Sequence, residues 1–293
     1  RGHTLSHIHF RFFDSWDGEG WTCEMDDGEE VVAVAVGRKF VAAATSLRNL
    51  RVFSSSGMQL FTGCLPGAPV TLAASENDQL AVVFHSGRGL PTEQGLAVEL
   101  WDLPNKTAMD IRPLPLSSGE TSLRWLGFAT NGVLASCDSS GVVRAMIAEW
   151  NYRWTPIANL DKEAAENERL SVVGLTLMPD MHHLQCVPFK STRKYPVVLP
   201  KPLPKLIKVK LDLKDSGGYG GPVEYLLRQQ QLIKSEQLAE DHGDFSGAAQ
   251  IRRSHDTSLL KLLMKLIKAD EGMKVLALCE LSNNPLMMLG HAA

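Results

Sequence analysis

The sequence predicts a mainly β chain with a helical C-terminal third: a β-propeller followed by a small helical bundle. Three observations predict it. Short apolar runs succeed one another with only a turn between them, no long helical pattern interrupts them before about residue 220, and amphipathic helical periodicity takes over beyond a glycine-rich hinge. The runs group into series that repeat roughly every 40 to 50 residues, the length of a four-stranded blade. A doubly wound α/β fold would need a helix after nearly every strand. A β-sandwich is the closer competitor, but about 210 residues is long for a single one.

The elements follow in order. SHIHFRFFDSWDGEGWTCEM (6–25) reads as the last strands of a blade whose earlier strands lie elsewhere. From Val31, VVAVAV is apolar and β-branched, Gly37 interrupts it, and FVAAAT, LRNLRVF and MQL follow at turn spacing. A second series is VTLAA (70–74), LAVVFHS (80–86) and, after the loop GRGLPTEQG, GLAVELWDL (95–103). The third is LRWLGFA, GVLASCDSSGVVRAMI and YRWTPI, with a tight turn at 138–141; the fourth is SVVGLTLM and HHLQCVPF. Blades bury both faces against their neighbours, which explains strands that are apolar on successive residues, VVAVAV among them. About five blades fit this length, so a six-bladed ring is expected to be incomplete in this chain.

RKYPVVLPKPLPK (193–205), with four prolines, is an extended connector. In LIKVKLDLK the residues Ile207, Val209, Leu211 and Leu213 alternate with polar ones, an edge or closing strand. DSGGYGG then marks the boundary between a propeller domain over 1–214 and a helical domain over 215–293. Pro222 starts a first helix with Leu226, Leu227, Gln230, Ile233 and Gln237 along one stripe, ending at Gly243. Thr257 caps a second, with Leu259, Leu260, Leu263, Leu266 and Ile267 as its apolar face and Lys261, Lys265 and Lys268 as its polar one. A third runs from Met273 to SNNP, and PLMMLGHAA is a fourth. Helices this short need partners, so a bundle packed on itself and on the propeller is expected.

Composition excludes several functions. Apolar residues at 44% and charged residues at 22% are ordinary for a soluble domain, and no apolar run reaches bilayer length, so a soluble intracellular protein with no membrane partner is expected. A net charge of −3 gives no chain-wide attraction for nucleic acid; binding it needs a local patch. The basic run KSTRK (190–194) and the lysines from Lys201 to Lys214 read as a solvated face, aromatics being nearly absent among them. The five cysteines (Cys23, Cys64, Cys137, Cys186, Cys279) lack metal or disulfide spacing and read as reduced, mostly buried residues. Asp26, Asp27, Glu29 and Glu30 read as a solvated turn, and His7 and His9 share a strand face with no ligand partner nearby in sequence. No P-loop, GxSxG elbow, HExxH or kinase signature occurs. A non-enzymatic chain without cofactor or metal is the expectation.

In sequence order, the blocks FRFFDSWDGEGWTCEM, VVAVAVGRKFVAAATSLRNLRVFSSSGMQ, LAVVFHSGRG, LRWLGFATNGVLASCDSSGVVRAMI, WTPIANL and HHLQCVPFKSTRKYPVVLPKPLPK resemble the middle region of the replisome adaptor family. That family comprises the fungal chromosome-transmission-fidelity or SepB proteins and the animal WD-repeat and HMG-box DNA-binding proteins. The resemblance continues more loosely into LLMKLIKADEGMKVLALCELSNN. It implies a six-bladed propeller and helical domain assembled as a nuclear homotrimer that serves DNA replication and sister chromatid cohesion. Such a hub tethers the replicative helicase, through GINS, to DNA polymerase α-primase and to other clients bearing short acidic-hydrophobic peptides captured on the helical domain. By position, the peptide-binding wall implied here is Val275, Leu278, Cys279, Leu281, Met287 and Leu289, with the helical domain expected to end before its last helix. Direct nucleic-acid binding does not carry over, because the N-terminal WD repeats and the HMG box lie outside the match. A coat or pore scaffold is the alternative, since such subunits also join propellers to helices. A propeller-fold enzyme is a weaker one, since VVAVAV and FVAAAT bring almost no polar residues to a central channel.

Overall fold

The computed structural model describes residues 5–13, 20–87, 94–147, 151–178, 181–197, 199, 201–209, 245–270 and 272–281. Strands β1 (His7–Phe10) and β2 (Trp21–Glu24) form a two-stranded antiparallel sheet. Sheet I follows with β3 (Val31–Val36), β4 (Phe40–Thr45), β5 (Asn49–Ser54) and β6 (Gln59–Cys64), paired in chain order. Sheet II contains β7 (Pro69–Ala74), β8 (Gln79–His85) and β9 (Leu96–Asp102), with β10 (Thr107–Ala108) and β11 (Arg112–Leu114) sharing the outer edge of β9. Sheet III is β12 (Leu123–Phe128), β13 (Leu134–Asp138), β14 (Val142–Ile147) and β15 (Arg153–Asn159). Sheet IV is β16 (Glu168–Met178), β17 (Met181–Lys190) and β18 (Lys205–Lys208).

Every pairing is antiparallel, and the first strand of each sheet touches the first strand of the next: β3 with β7, β7 with β12, β12 with β16. This is the arrangement of propeller blades and not of the two facing layers of a sandwich. The cores lie between sheets. Leu50, Leu65, Leu80, Val82 and Phe84 join I to II; Val83, Val98, Leu134 and Met146 join II to III; Ile147, Ile157, Val172, Leu184 and Ile207 join III to IV. Strand β8 shows why its run is continuously apolar: alternate residues point to opposite faces, Leu80, Val82 and Phe84 into one core and Ala81 and Val83 into the other.

The description applies to β8 but not to β3. Val32, Val34 and Val36 are about half exposed or more, at 49%, 54% and 60%. The two-stranded sheet beside them reaches outward, where Ile8, Met25 and Trp21 cover Val41, Ala43 and Phe53, so the inner strand has one open face among the described residues. The split edge β10–β11 has no counterpart in the expected series; Pro113 and Pro115 interrupt a run too short to read as a strand. Strand β18 stands at the edge of sheet IV, as the alternation around Ile207 predicts. Five sheets, the two-stranded one included, are present among the described residues, where the length predicts about five blades.

Helix α1 (Phe245–Lys268) is longer than its sequence signals suggest. Thr257 is not a cap: its hydroxyl donates to the Arg253 carbonyl at 2.7 Å, one turn back, inside the helix. Helix-forming residues upstream, Ala248, Ala249, Gln250 and Arg252, carry the helix past it. Helix α2 (Gly272–Leu281) matches the third predicted helix. The helices expected at Pro222 and at PLMMLGHAA lie outside the described residues. No described helix is long and apolar enough to cross a membrane.

Candidate interaction site

Buried charge is the first place to look for chemistry. Glu29, expected in a solvated turn, is instead 2% exposed. Its Oε1 accepts from Thr45 Oγ1 (2.7 Å), Asn49 Nδ2 (3.0 Å) and Arg51 Nε (3.1 Å), and its Oε2 from Arg51 Nη2 (2.5 Å). The Arg51 hydrogen bond is the main force lowering the Glu29 carboxyl to a pKa of about 2, with burial opposing it and Thr45 and Asn49 assisting. Sheet III holds a second network. Asp138 Oδ2 accepts from Arg144 Nη1 (2.7 Å) and from Ser117 Oγ (2.6 Å) and N (3.1 Å), while Oδ1 accepts from Ser140 N and Val142 N. Burial pushes the Asp138 carboxyl up, but the Ser117, Arg144 and Val142 hydrogen bonds together outweigh it and hold the group below its ordinary range.

Both networks have their hydrogen-bonding capacity spent on structure. Neither presents an ionisable group poised near neutrality, so they act as clamps between strands and not as acid–base pairs. Cys137 and Cys186 are buried, and burial pushes their thiols up to about 12 and about 11, which leaves them unreactive; Cys23 and Cys279 are half-buried and Cys64 is exposed, so two of the five cysteines are fully buried where most were expected to be. His7 does find a carboxylate, Glu24 across the strand pair at 3.0 Å, and His9 Nδ1 is paired with Thr22 Oγ1 at 2.8 Å. Among the described residues no cluster of three metal-ligating side chains occurs.

The helices offer a surface instead. Leu259, Leu263 and Leu266 of α1 are buried against Val275 and Cys279 of α2, so these two residues of the expected peptide-binding wall pack a small helix–helix core. Leu278 and Leu281 lie on α2, with side chains outside the description; Met287 and Leu289 lie outside the described residues altogether. The single apolar face expected on α1 is really two stripes. Leu260 and Ile267, expected inside, are 52% and 63% exposed, and with Met264 at 57% they recur at i, i+4 and i+7. One α2 helix is too narrow to cover both stripes. Exposed Arg253 extends the open stripe by about two turns, exposed Lys261 and Lys268 border it, and Met273 and Leu276 of α2 are exposed as well. Sequence reasoning put Leu260 and Ile267 in the core and left Met264 out; the signal that separates them is the width of the apolar arc, about two stripes wide where one partner helix needs one.

This geometry suits binding. The chain is 30% identical over 284 residues to the mouse "WD repeat and HMG-box DNA-binding protein 1", covering 94% of this chain and 25% of that protein. It is 32% identical over 289 residues to the Arabidopsis thaliana "Protein ENHANCER OF LHP1 1", covering 94% of this chain and 30% of that protein. It therefore spans between a quarter and a third of the length of these curated relatives. A crystal structure of HIRA residues 644–1017 aligns over 94% of this chain and 74% of that one at 12% identity, with a TM-score of 0.45 that is too low to carry weight. The family described as Minichromosome loss protein, Mcl1, middle region, matches residues 1–213, a span that includes every described strand. On that match, the chain belongs to the family of the Mcl1 middle region.

Proposed function

We propose that this chain is the propeller-and-helix part of a non-enzymatic adaptor of DNA replication, a nuclear homotrimer with six-bladed rings. It links the replicative helicase, through GINS, to DNA polymerase α-primase and to other clients by capturing short peptides. Membership of the Mcl1 middle-region family supports this reading, and the clamped charge networks, whose carboxyls titrate well below neutrality, agree with it. The observation that carries it is the open stripe Leu260, Met264 and Ile267 on α1, bordered by Lys261 and Lys268. An amphipathic peptide with apolar residues one helical turn apart and carboxylates beside them matches that stripe in both shape and charge. Three copies raise the local concentration of sites, so modest single-site affinity suffices.

The test has two parts. Light scattering gives a mass near three times the 32.1 kDa chain, and the chain used as bait in nuclear extract recovers GINS subunits or polymerase α. A monomer that recovers neither overturns the proposal, and a monomer or filament that recovers coat or pore subunits replaces it.

A further inference from the structure

The stretch from Met181 to Val209 contains six Lys and Arg residues and no Asp or Glu, in a chain whose net charge is −3. The fold gathers these cations and adds to them. Strand β17 ends at Lys190 and turns tightly, with Arg193 N donating to the Lys190 carbonyl at 3.0 Å and Ser191 N to the Asn167 carbonyl at 2.9 Å. Arg124, from the inner strand of sheet III, reaches across and donates to the Lys194 carbonyl at 3.3 Å. A guanidinium 70 residues away in sequence is thereby fixed beside the turn. Tyr195 is 62% exposed, with the Lys194 ammonium 5.3 Å from its ring centre.

Arg124, Lys190, Arg193 and Lys194 are all exposed, and among the described residues none forms a salt bridge. The nearby carboxylate of Glu168 is occupied by Lys205 at 3.6 Å, while Glu166 lies in the turn before β16. Four cations without a salt bridge among the described residues, three carried on a hydrogen-bonded turn at one end of a sheet and Arg124 held beside it, repel one another and gain most from a ligand with repeated negative charge.

We propose that this turn, with Arg124, Lys190, Arg193, Lys194 and Tyr195, binds the phosphate backbone of a nucleic acid without reading its sequence. The guanidiniums and ammoniums contact phosphates, and the Tyr195 hydroxyl and ring contact phosphate or sugar. Four cations of one sign match the evenly repeated charge of a phosphate backbone, and capture of an acidic peptide is the alternative that the test separates. The inference is independent of peptide capture by the helices.

Fluorescence anisotropy of the whole chain with a labelled DNA duplex, an RNA duplex of the same sequence and a scrambled DNA duplex tests it. Binding to all three is expected, falling steeply with salt. The charge reversal K190E/R193E/K194E weakens binding by tenfold or more and makes the log–log salt slope shallower by about 2.7, three contacts at about 0.9 each. The charge-conserving K190R/R193K/K194R retains binding, as does K106E/R153E, which reverses exposed cations elsewhere and so separates the patch from net charge. Unchanged affinity in the triple reversal overturns the proposal. So does binding of polyglutamate as tight as that of DNA and equally sensitive to the reversal, which would assign the surface to acidic protein segments.

Discussion

Sheets I and III solve the same problem with their parts exchanged. In each, an arginine is the third residue of the third strand, Arg51 in β5 and Arg144 in β14, six residues after the last residue of the second strand, Thr45 or Asp138. In sheet I the loop before the first strand supplies the acid, Glu29, and the second strand supplies the hydroxyl, Thr45. In sheet III the loop supplies the hydroxyl, Ser117, and the second strand supplies the acid, Asp138. Sheet II places buried Val98 at the arginine position, opposite the residue two before the end of its second strand, as Arg51 and Arg144 are. Sheets I and III fill that position with a complete ionic network that ties the second and third strands to the preceding loop, and sheet II fills it with an apolar side chain packed between sheets.

The comparison breaks most visibly when one partner is removed. Arg51→Met leaves Glu29 buried with only Thr45 and Asn49 as donors and is expected to cost about 3–5 kcal/mol in urea denaturation. Arg144→Met costs less, because Asp138 keeps four donors: Ser117 N and Oγ, Ser140 N and Val142 N. The apolar pair E29L/R51M, imitating the apolar solution of sheet II, costs less than Arg51→Met alone. Equal losses for the two arginine variants, or a double variant worse than the single one, would mean the networks do not act as complete units.

A smaller effect appears in the pH dependence. The Glu29 pKa is depressed from the usual 4.5 to about 2, so its contribution, about 3 kcal/mol, is fully present above pH 4.5 and is lost as pH falls from there to about 2. The Glu29→Gln variant is expected to be less stable at pH 7 and to show a flatter decline through that acid window. Asp138, also depressed, contributes with the same sign. A wild-type decline no steeper than that of the variant would contradict the assignment.

The exchange itself gives the smallest and sharpest test. Glu29→Ser places the sheet III hydroxyl in sheet I and removes its acid; adding Thr45→Asp restores an acid at the sheet III position. The double variant is expected to recover about 1 kcal/mol of the loss from Glu29→Ser, a coupling read from a double-mutant cycle in urea. No recovery would show that the two sites share composition but not geometry.

Neither network was legible in the sequence, and the reason is physical. Glu29 and Arg51 are 22 residues apart and meet only once strands β3, β4 and β5 are in register. In the sequence Glu29 stands in an acidic run, which ordinarily marks a solvated turn. The strands themselves were legible, because β8 carries an uninterrupted apolar run bounded by turn residues, and Gly141, at a φ of +73°, marks the turn between β13 and β14. The exposed face of β3 was hidden for the converse reason: VVAVAV reads the same whether or not a neighbouring blade covers it. On α1, spacing placed the leucines on one side of the helix, but only the position of α2 separates buried Leu263 from exposed Leu260 and Met264.

The central claim is that this chain holds other proteins through the open stripe of α1. Its most direct test compares the wild-type chain and the variant M264D/I267D as baits for GINS and polymerase α in nuclear extract, with K106E/R153E as a control on the propeller. The helix variant is expected to keep its fold and oligomeric mass but to lose both proteins, while the propeller variant retains them. Full recovery of GINS and polymerase α by M264D/I267D would contradict it.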